Sequence, residues 1–148
     1  MIVKLEENPS LEELEVCIRY ATMNETVHKL EALVRGVNKT VQCHLENTQL
    51  WIPASDIYYI ESVDKHTFVY CQNAVYDCDS RLYQLISELK DTYFVQVSKS
   101  CLVNLQFLKQ IKPLFNSRLE ATLSNGERIT VTRKYIPSIR EKLKRREE

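Results

Sequence analysis

The cysteines are the residues of this chain best suited to metal or redox chemistry, and there are five of them. No two have the C-x-x-C spacing that zinc sites and redox motifs require. Buried, reduced thiols are therefore the favoured interpretation, since a free cysteine packs as a small apolar residue. The five are Cys17, Cys43, Cys71, Cys78 and Cys101. We expect no metal and no cofactor.

The remaining residues contain none of the common catalytic or nucleotide-binding motifs. The chain contains only two glycines, so a Gly-rich phosphate loop, a dinucleotide fingerprint or a nucleophile elbow cannot form. Asp64, His66 and either Ser98 or Ser100 could assemble a hydrolytic triad, but no sequence motif orders them. The sequence therefore predicts a protein that is not an enzyme.

The charged residues are separated along the chain, although the formal net charge is zero. Residues 1–64 carry five basic and eleven acidic side chains, whereas residues 65–148 carry fifteen basic and nine acidic ones. Within 97–146 the count is twelve basic against three acidic. This asymmetry favours a polyanion-binding face on the second half. A basic helix that is merely solvated would give similar counts, so that alternative stays open.

Length and hydropathy limit the class of protein. A chain of 148 residues that is 44% hydrophobic predicts one compact domain. The longest uninterrupted apolar runs, 57–60 and 68–71, have four residues, against roughly 18 for a membrane span. We expect no membrane insertion. The first residues have neither a basic leader nor an apolar signal core, which predicts a cytoplasmic location.

The first 38 residues predict two strands and a helix. Asn8-Pro9-Ser10 marks a turn between strands over 2–5 and 14–20. Asn24 can cap a helix that Gly36 can end. Its apolar residues recur at helical spacing and are Val27, Leu30 and Val34. This β-β-α element, residues 1–38, is too short to fold independently, so we expect it to pack on the rest.

From residue 40 onward, short strands alternate with polar stretches, which is typical of an antiparallel meander or barrel-like sheet. The predicted strands span 40–45, 49–52, 57–62, 67–71 and 75–78. Ser80 is predicted to cap the next helix, whose apolar stripe is Leu82, Leu85, Ile86 and Leu89. A strand over 94–97 then leads into a polar loop at 98–100.

The last third of the chain predicts a hairpin and a helix. Two alternating strands within 119–131 flank Asn125-Gly126, which suits a type I′ turn. Pro137 fits the first turn of a final helix. That helix would turn Ile136, Ile139 and Leu143 inward, with Arg140, Lys142, Lys144, Arg145 and Arg146 facing outward or trailing.

Three stretches resemble the signature segments of the LytTR-type bacterial DNA-binding domain in order and spacing. They are DIYYIES at 56–62, YFVQVSKSCLVN at 93–104 and LSNGERITVTR at 123–133. The resemblance covers about residues 40–146 and implies a DNA-binding domain over 39–148. It implies a mainly β fold, an antiparallel β-strand scaffold with peripheral helices and no helix-turn-helix. Loops at strand ends would enter successive major grooves.

The resemblance also implies which residues contact DNA. Base contacts fall on Lys65 or His66, between which the alignment does not choose, on Lys99, and on Arg133 with Lys134 beside it. Arginine, lysine and histidine can all donate to guanine O6 and N7 in the major groove. The family's loop more commonly reads His-Arg-Ser, whereas this chain has Ser98-Lys99-Ser100. The two serines suit phosphate contacts.

The expected partner is double-stranded DNA, bound by a homodimer in which residues 1–38 make the dimer contact. The chain is too short ahead of the DNA-binding part for a phosphate-receiving domain, so a regulatory protein partner is a further expectation. Two other classes stay open. An RNA-binding module would explain the basic half, although Tyr58, Tyr59, Phe68 and Tyr70 read better as partly core residues. A protein-interaction module would need no nucleic acid.

Overall fold

The chain folds into ten strands and three α-helices in the computed structural model, which describes residues 1–37 and 39–147. In chain order they are α1 Glu25–Val37, β1 Thr40–Leu45, β2 Thr48–Pro53, β3 Ile57–Val63, β4 His66–Cys71, β5 Val75–Cys78, α2 Leu82–Glu88, β6 Phe94–Ser98, β7 Cys101–Asn104, β8 Leu108–Pro113, β9 Leu119–Leu123, β10 Arg128–Val131 and α3 Ile136–Glu147. Residues 38 and 148, which the predicted domain limits touch, lie outside the described residues, as do the side chains of Arg145 and Arg146.

The strands form two antiparallel sheets. Seven strands have the order β2-β1-β5-β4-β3-β7-β6, and three have the order β10-β9-β8. Every recorded pairing between neighbours is antiparallel. The predicted mainly antiparallel β fold is therefore confirmed. Among the described helices, none combines the length and the apolar character that a membrane crossing needs.

Strand β3 is buried on both faces because a cluster of apolar side chains lies on each side of it. On one side, Ile57 and Ile60 pack with the stripe of α2, whose Leu82, Leu85 and Leu89 are buried. This confirms the predicted core face of that helix. On the other side, Tyr58 and Tyr59 pack with the three-stranded sheet and with Ile139 of α3.

A buried asparagine ties the end of β7 to the start of β3. The Asn104 side chain donates through Nδ2 to the carbonyl of Ile57 at 2.9 Å and to that of Ala54 at 3.5 Å. Its Oδ1 accepts from the backbone N–H of Gln106 at 3.1 Å. Because the side chain is 2% exposed, water cannot replace these partners.

Some sequence predictions for residues 1–38 are wrong. No strand forms over 2–5 or 14–20, because within the described residues no neighbouring backbone pairs with either segment. The turn at 8–11 does form, with Leu11 N–H donating to the Asn8 carbonyl. Cys17 is exposed, unlike the other four thiols, so its predicted burial is also wrong.

The predicted cap of the helix in this segment is confirmed, but Gly36 does not end the helix in the predicted way. Asn24 accepts the backbone N–H of Val27 through its side chain at 3.1 Å, which confirms the cap. Gly36 lies inside the last turn of α1 rather than beyond it. Its backbone approaches Ser55 so closely that an added Cβ would lie 3.0 Å from the Ser55 Cβ.

Three further details differ from the prediction. Helix α2 is capped at Arg81, whose N–H donates to the Gln84 side chain at 2.7 Å, so Ser80 is not the cap. Only Gly126 has a positive φ in the four-residue loop between β9 and β10, whereas type I′ needs two. Lys142 does not face outward, since its Nζ donates to the carbonyls of Phe94 and Thr92.

Replacing Asn104 with alanine should destabilise the fold by about 2–4 kcal/mol, because it leaves the Ile57 carbonyl and the Gln106 N–H without their buried partner. Urea unfolding followed by circular dichroism measures the change. Asn73→Ala, at an exposed position of the β4–β5 connection, is the matched control and should stay within about 0.5 kcal/mol. Equal, small effects of the two variants would contradict the assigned role of Asn104.

Candidate nucleic-acid interface

The turn between β3 and β4 holds two exposed residues in an unusual backbone conformation. Val63 pairs with His66, so Asp64 and Lys65 form a two-residue connection. Their φ angles are 50° and 69°. Two positive φ angles are what a type I′ hairpin turn requires, and side chains other than glycine adopt them at a cost in free energy. The turn exposes Lys65 and His66 at the sheet end.

The turn between β6 and β7 lies beside that first turn. Ser62 N–H, near the end of β3, donates to the Ser100 carbonyl at 2.8 Å. The Ser98 Oγ accepts the Ser100 N–H at 3.3 Å, which closes the turn around Lys99. Lys99 and Ser100 are exposed and Ser98 is half-buried. The predicted polar loop therefore occurs, although Ser98 is still the last residue of β6.

The segment that follows the three-stranded sheet contacts the end of β6 through the backbone carbonyl of Val97. Thr132 N–H donates to the Val97 carbonyl at 2.9 Å, and the Thr132 hydroxyl reaches the same oxygen at 3.4 Å. Val97 directly precedes the Ser98 turn, and Thr132 directly precedes Arg133. Arg133 and Lys134 follow in an exposed 3₁₀ turn before α3. This contact brings the third predicted segment beside the second.

We call the three turns at 64–66, 98–100 and 132–134 the basic edge. Sequence reasoning missed a cation near it, Arg81, whose Nη1 lies 3.5 Å from the Lys65 carbonyl. Arg81 follows β5, and Cys78 of that strand pairs with Thr67 next to the first turn. The charge at 81 is visible in the sequence, but its nearness to Lys65 depends on strand register, which no local pattern specifies.

The cations at and near the basic edge form no ion pair with a carboxylate among the described residues. Within the described part of the chain, Lys65, Arg81, Lys99, Arg133 and Lys134 form no ion pair, although four pairs occur elsewhere. Lys134 Nζ lies 5.7 Å from the centre of the Tyr135 ring. Exposed cations that form no ion pair can bind an external anion, because no carboxylate must first be displaced.

The strands that carry these turns contain two cysteines, Cys71 of β4 and Cys101 of β7. Among the described residues, no group of three His, Cys, Asp or Glu side chains is arranged to hold a metal ion. Burial raises the pKa of Cys101 to about 12 and that of Cys71 to about 11. Both thiols therefore stay protonated near neutral pH. Burial likewise raises the pKa of Tyr59, whose ring stacks on Tyr70 with centroids 4.1 Å apart.

Comparison with known proteins matches this geometry to one family. The profile of the LytTr DNA-binding domain matches residues 47–144. A solved LytTr DNA-binding domain from a Bacillus cereus response regulator superposes with a TM-score of 0.67 at 25% identity, covering 72% of this chain and 97% of that one. Fold and profile define a DNA-binding domain built on antiparallel strands. The chain belongs to the LytTR DNA-binding domain family.

Curated relatives are longer proteins. The chain is 29% identical over 125 residues to the sensory transduction protein LytT of Bacillus subtilis, covering 84% of this chain and 52% of that protein. It is 28% identical over 111 residues to the transcriptional regulatory protein YpdB of Escherichia coli K12, covering 74% and 46%. It is 27% identical over 92 residues to the sensory transduction protein LytT of Enterococcus faecalis, covering 62% of this chain and 38% of that protein. The chain thus spans about half the length of these relatives or less.

Lys65→Gly should raise the free energy of unfolding by about 1 kcal/mol, because glycine adopts the positive φ without steric strain. Glu46→Gly is the matched control, since Glu46 has a φ of 56° in the β1–β2 turn. That turn lies at the opposite end of the sheet, as the pairing of His44 with Asp77 requires. Thermal and urea unfolding of both variants measure the effect. Destabilisation by Lys65→Gly would contradict the strain at this turn.

Proposed function

We propose that this protein is a transcriptional regulator that binds double-stranded DNA in a sequence-specific manner, with the basic edge as its DNA-reading surface. The loops at 64–66, 98–100 and 132–134 would enter successive major grooves. Residues 39–148 would form the DNA-binding domain. Membership of the LytTR DNA-binding domain family supports this proposal, as do relatives whose names describe transcriptional regulation and sensory transduction.

One observation carries the proposal: three separate turns meet at one end of the two sheets, joined by the Ser62–Ser100 and Val97–Thr132 backbone hydrogen bonds. Among the residues that the structure describes, each turn presents at least one basic side chain without a carboxylate partner. Turns anchored on sheets hold their side chains more precisely than free loops do. Such an edge suits a groove whose floor carries hydrogen-bond acceptors.

The side chains of the three turns would make different kinds of contact with DNA. Arg133 offers two parallel N–H donors for guanine O6 and N7, and Lys99 offers a single-point donor. Either Lys65 or His66 would supply the third base contact. Ser98 and Ser100 would bind phosphate, although the bond from Ser100 N–H to Ser98 Oγ already uses part of this capacity. Lys134, beside the Tyr135 ring, would act as a second cation near Arg133.

We also propose that the regulator acts as a homodimer, with residues 1–38 as the dimer contact. One domain of this size buries little DNA surface, so two protomers on two half-sites would supply affinity and specificity together. The family profile begins only at residue 47, so it does not account for this segment. A regulatory protein partner would deliver the signal.

Binding to duplex DNA should weaken steeply with salt, because lysine and arginine replace counterions on phosphates. If about five to seven phosphates are neutralised, the slope of log K against log salt should be roughly −4.5 to −6. Fluorescence anisotropy with duplex DNA, single-stranded DNA and RNA of equal length measures it. A slope near zero, or tighter binding to RNA than to duplex, would contradict the proposal.

Arg133→Ala should cost about 1–3 kcal/mol on the preferred duplex and relax the preference at one base pair, because a bidentate donor is lost. Arg128→Ala is the matched control: Arg128 is also exposed but begins β10 at its far end, so the variant should leave binding almost unchanged. Selection from a random duplex pool provides the site, and titration of both variants measures the loss.

Circular dichroism must first show that both variants fold. Equal weakening of preferred and random duplexes by Arg133→Ala would contradict base readout by this residue. Arg140→Ala, on the exposed face of α3, gives the comparison for a contact that positions the protein, and it should weaken all duplexes by similar factors.

A further inference from the structure

The segment 14–20 lies beside α1 with one apolar face turned towards that helix. Val16, Ile18 and Tyr20 line one groove together with Val27 and Val34 of α1. Side chains two positions apart that share one side have the spacing of an extended strand. The segment therefore has a strand's alternation without belonging to a sheet.

In the described part of the chain, the backbone of this segment makes no hydrogen bond to another backbone group. Among the described residues, no backbone bond involves positions 12–20, although the adjoining turn at 8–11 and the start of α1 each have one. Leu14 is 79% exposed and Val16 54%. An unpaired extended segment that also exposes apolar side chains is a template for pairing with another chain. The question is which chain would complete it.

The sequence of the segment is complementary to itself when two copies run antiparallel about Cys17. In that register Glu15 lies opposite Arg19 of the second copy, and Arg19 lies opposite its Glu15. Val16 then faces Ile18, and Leu14 faces Tyr20, on the apolar side. Opposite charges and apolar side chains in direct cross-strand positions both stabilise a sheet. Glu15, Cys17 and Arg19 are all exposed and available for it.

We propose that residues 14–20 of two copies pair as antiparallel strands centred on Cys17, which forms a two-stranded dimer interface. This inference rests on the proposed dimeric function and gives its interface a register. The two apolar faces would lie on the same side of the ribbon, each against its own α1. The Glu15–Arg19 pairs would lie on the other side, on either side of the two thiols. Such a twofold interface closes on itself and stops at two copies.

Charge reversal tests the register directly. Arg19→Glu places two glutamates opposite each other twice, so the dimer dissociation constant should rise by about tenfold or more, and Glu15→Arg should do the same. The double variant Glu15→Arg/Arg19→Glu restores both pairs and should dimerise like the parent chain. An equimolar mixture of the two single variants should form heterodimers. Sedimentation velocity and light scattering measure each state.

Glu12→Arg is the control. It reverses a charge on the same exposed segment, but its cross-strand partner would be Thr22, so dimerisation should be unchanged. A short bis-maleimide should also cross-link the dimer through Cys17 and not cross-link Cys17→Ser, because the other four cysteines are at least partly buried. Circular dichroism verifies that the variants fold, as expected for changes at exposed positions.

The results of these experiments support or overturn the proposed register. Loss of the dimer in both single variants with recovery in the double variant supports the register, as does cross-linking through Cys17. A monomeric parent chain overturns it, as does a dimer whose dissociation constant is unchanged by all the charge changes. Binding to a single half-site, measured separately, should be unaffected by Arg19→Glu. If the parent chain fails to bind any duplex, the proposed function fails, whereas the interface is judged on the dimer data alone.

Discussion

One backbone carbonyl joins the three-stranded sheet to the seven-stranded sheet at the basic edge. Val97 accepts two hydrogen bonds from Thr132, one from its N–H and one from its hydroxyl. The first residue after Val97 begins the Ser98 turn, and the first residue after Thr132 is Arg133. This contact sets the end of the hairpin beside the turn that carries Lys99. The proposed reading of DNA depends on that position, since a displacement of one ångström is enough to lose a directed contact.

The packing beneath the edge explains why these turns can be held so firmly. Strand β3 is covered on both faces, by α2 on one side and by the three-stranded sheet on the other. Ile60 is fully buried one residue before Glu61 and two before Ser62, whose N–H fixes the Ser100 carbonyl. A strand fully packed in this way cannot change register without exposing its core, because a one-residue shift moves every side chain to the other face. The turn at its end therefore carries Lys65 in a backbone conformation that an isolated chain would avoid.

Local patterns in the sequence predicted much of the scaffold, because periodicity and helix caps act over a few residues. The strands at 40–45 and 75–78 occur with the predicted limits, and Asn24 caps α1 as expected. Failures occurred where a distant partner decides. Residues 14–20 alternate like a strand but have no neighbour to pair with in the described chain. Residue preference predicts a type I′ turn at Asn125-Gly126, where only Gly126 has a positive φ. Two positive φ angles occur instead at Asp64-Lys65, because the pairing of Val63 with His66 leaves only two residues to connect the strands. The family resemblance indicates the proposed site residues, but the hydrogen bonds that bring them together join segments that are far apart in sequence.

Hydrogen–deuterium exchange of the chain with and without a selected duplex tests the central claim, that the three turns form one DNA-binding edge. We expect slower exchange in all three segments, 64–66, 98–100 and 132–134, upon binding. We also expect no change in the β1–β2 turn at Glu46, at the opposite end of the sheet. Protection at Glu46, or protection of one turn without the other two, would contradict a single edge assembled from both sheets.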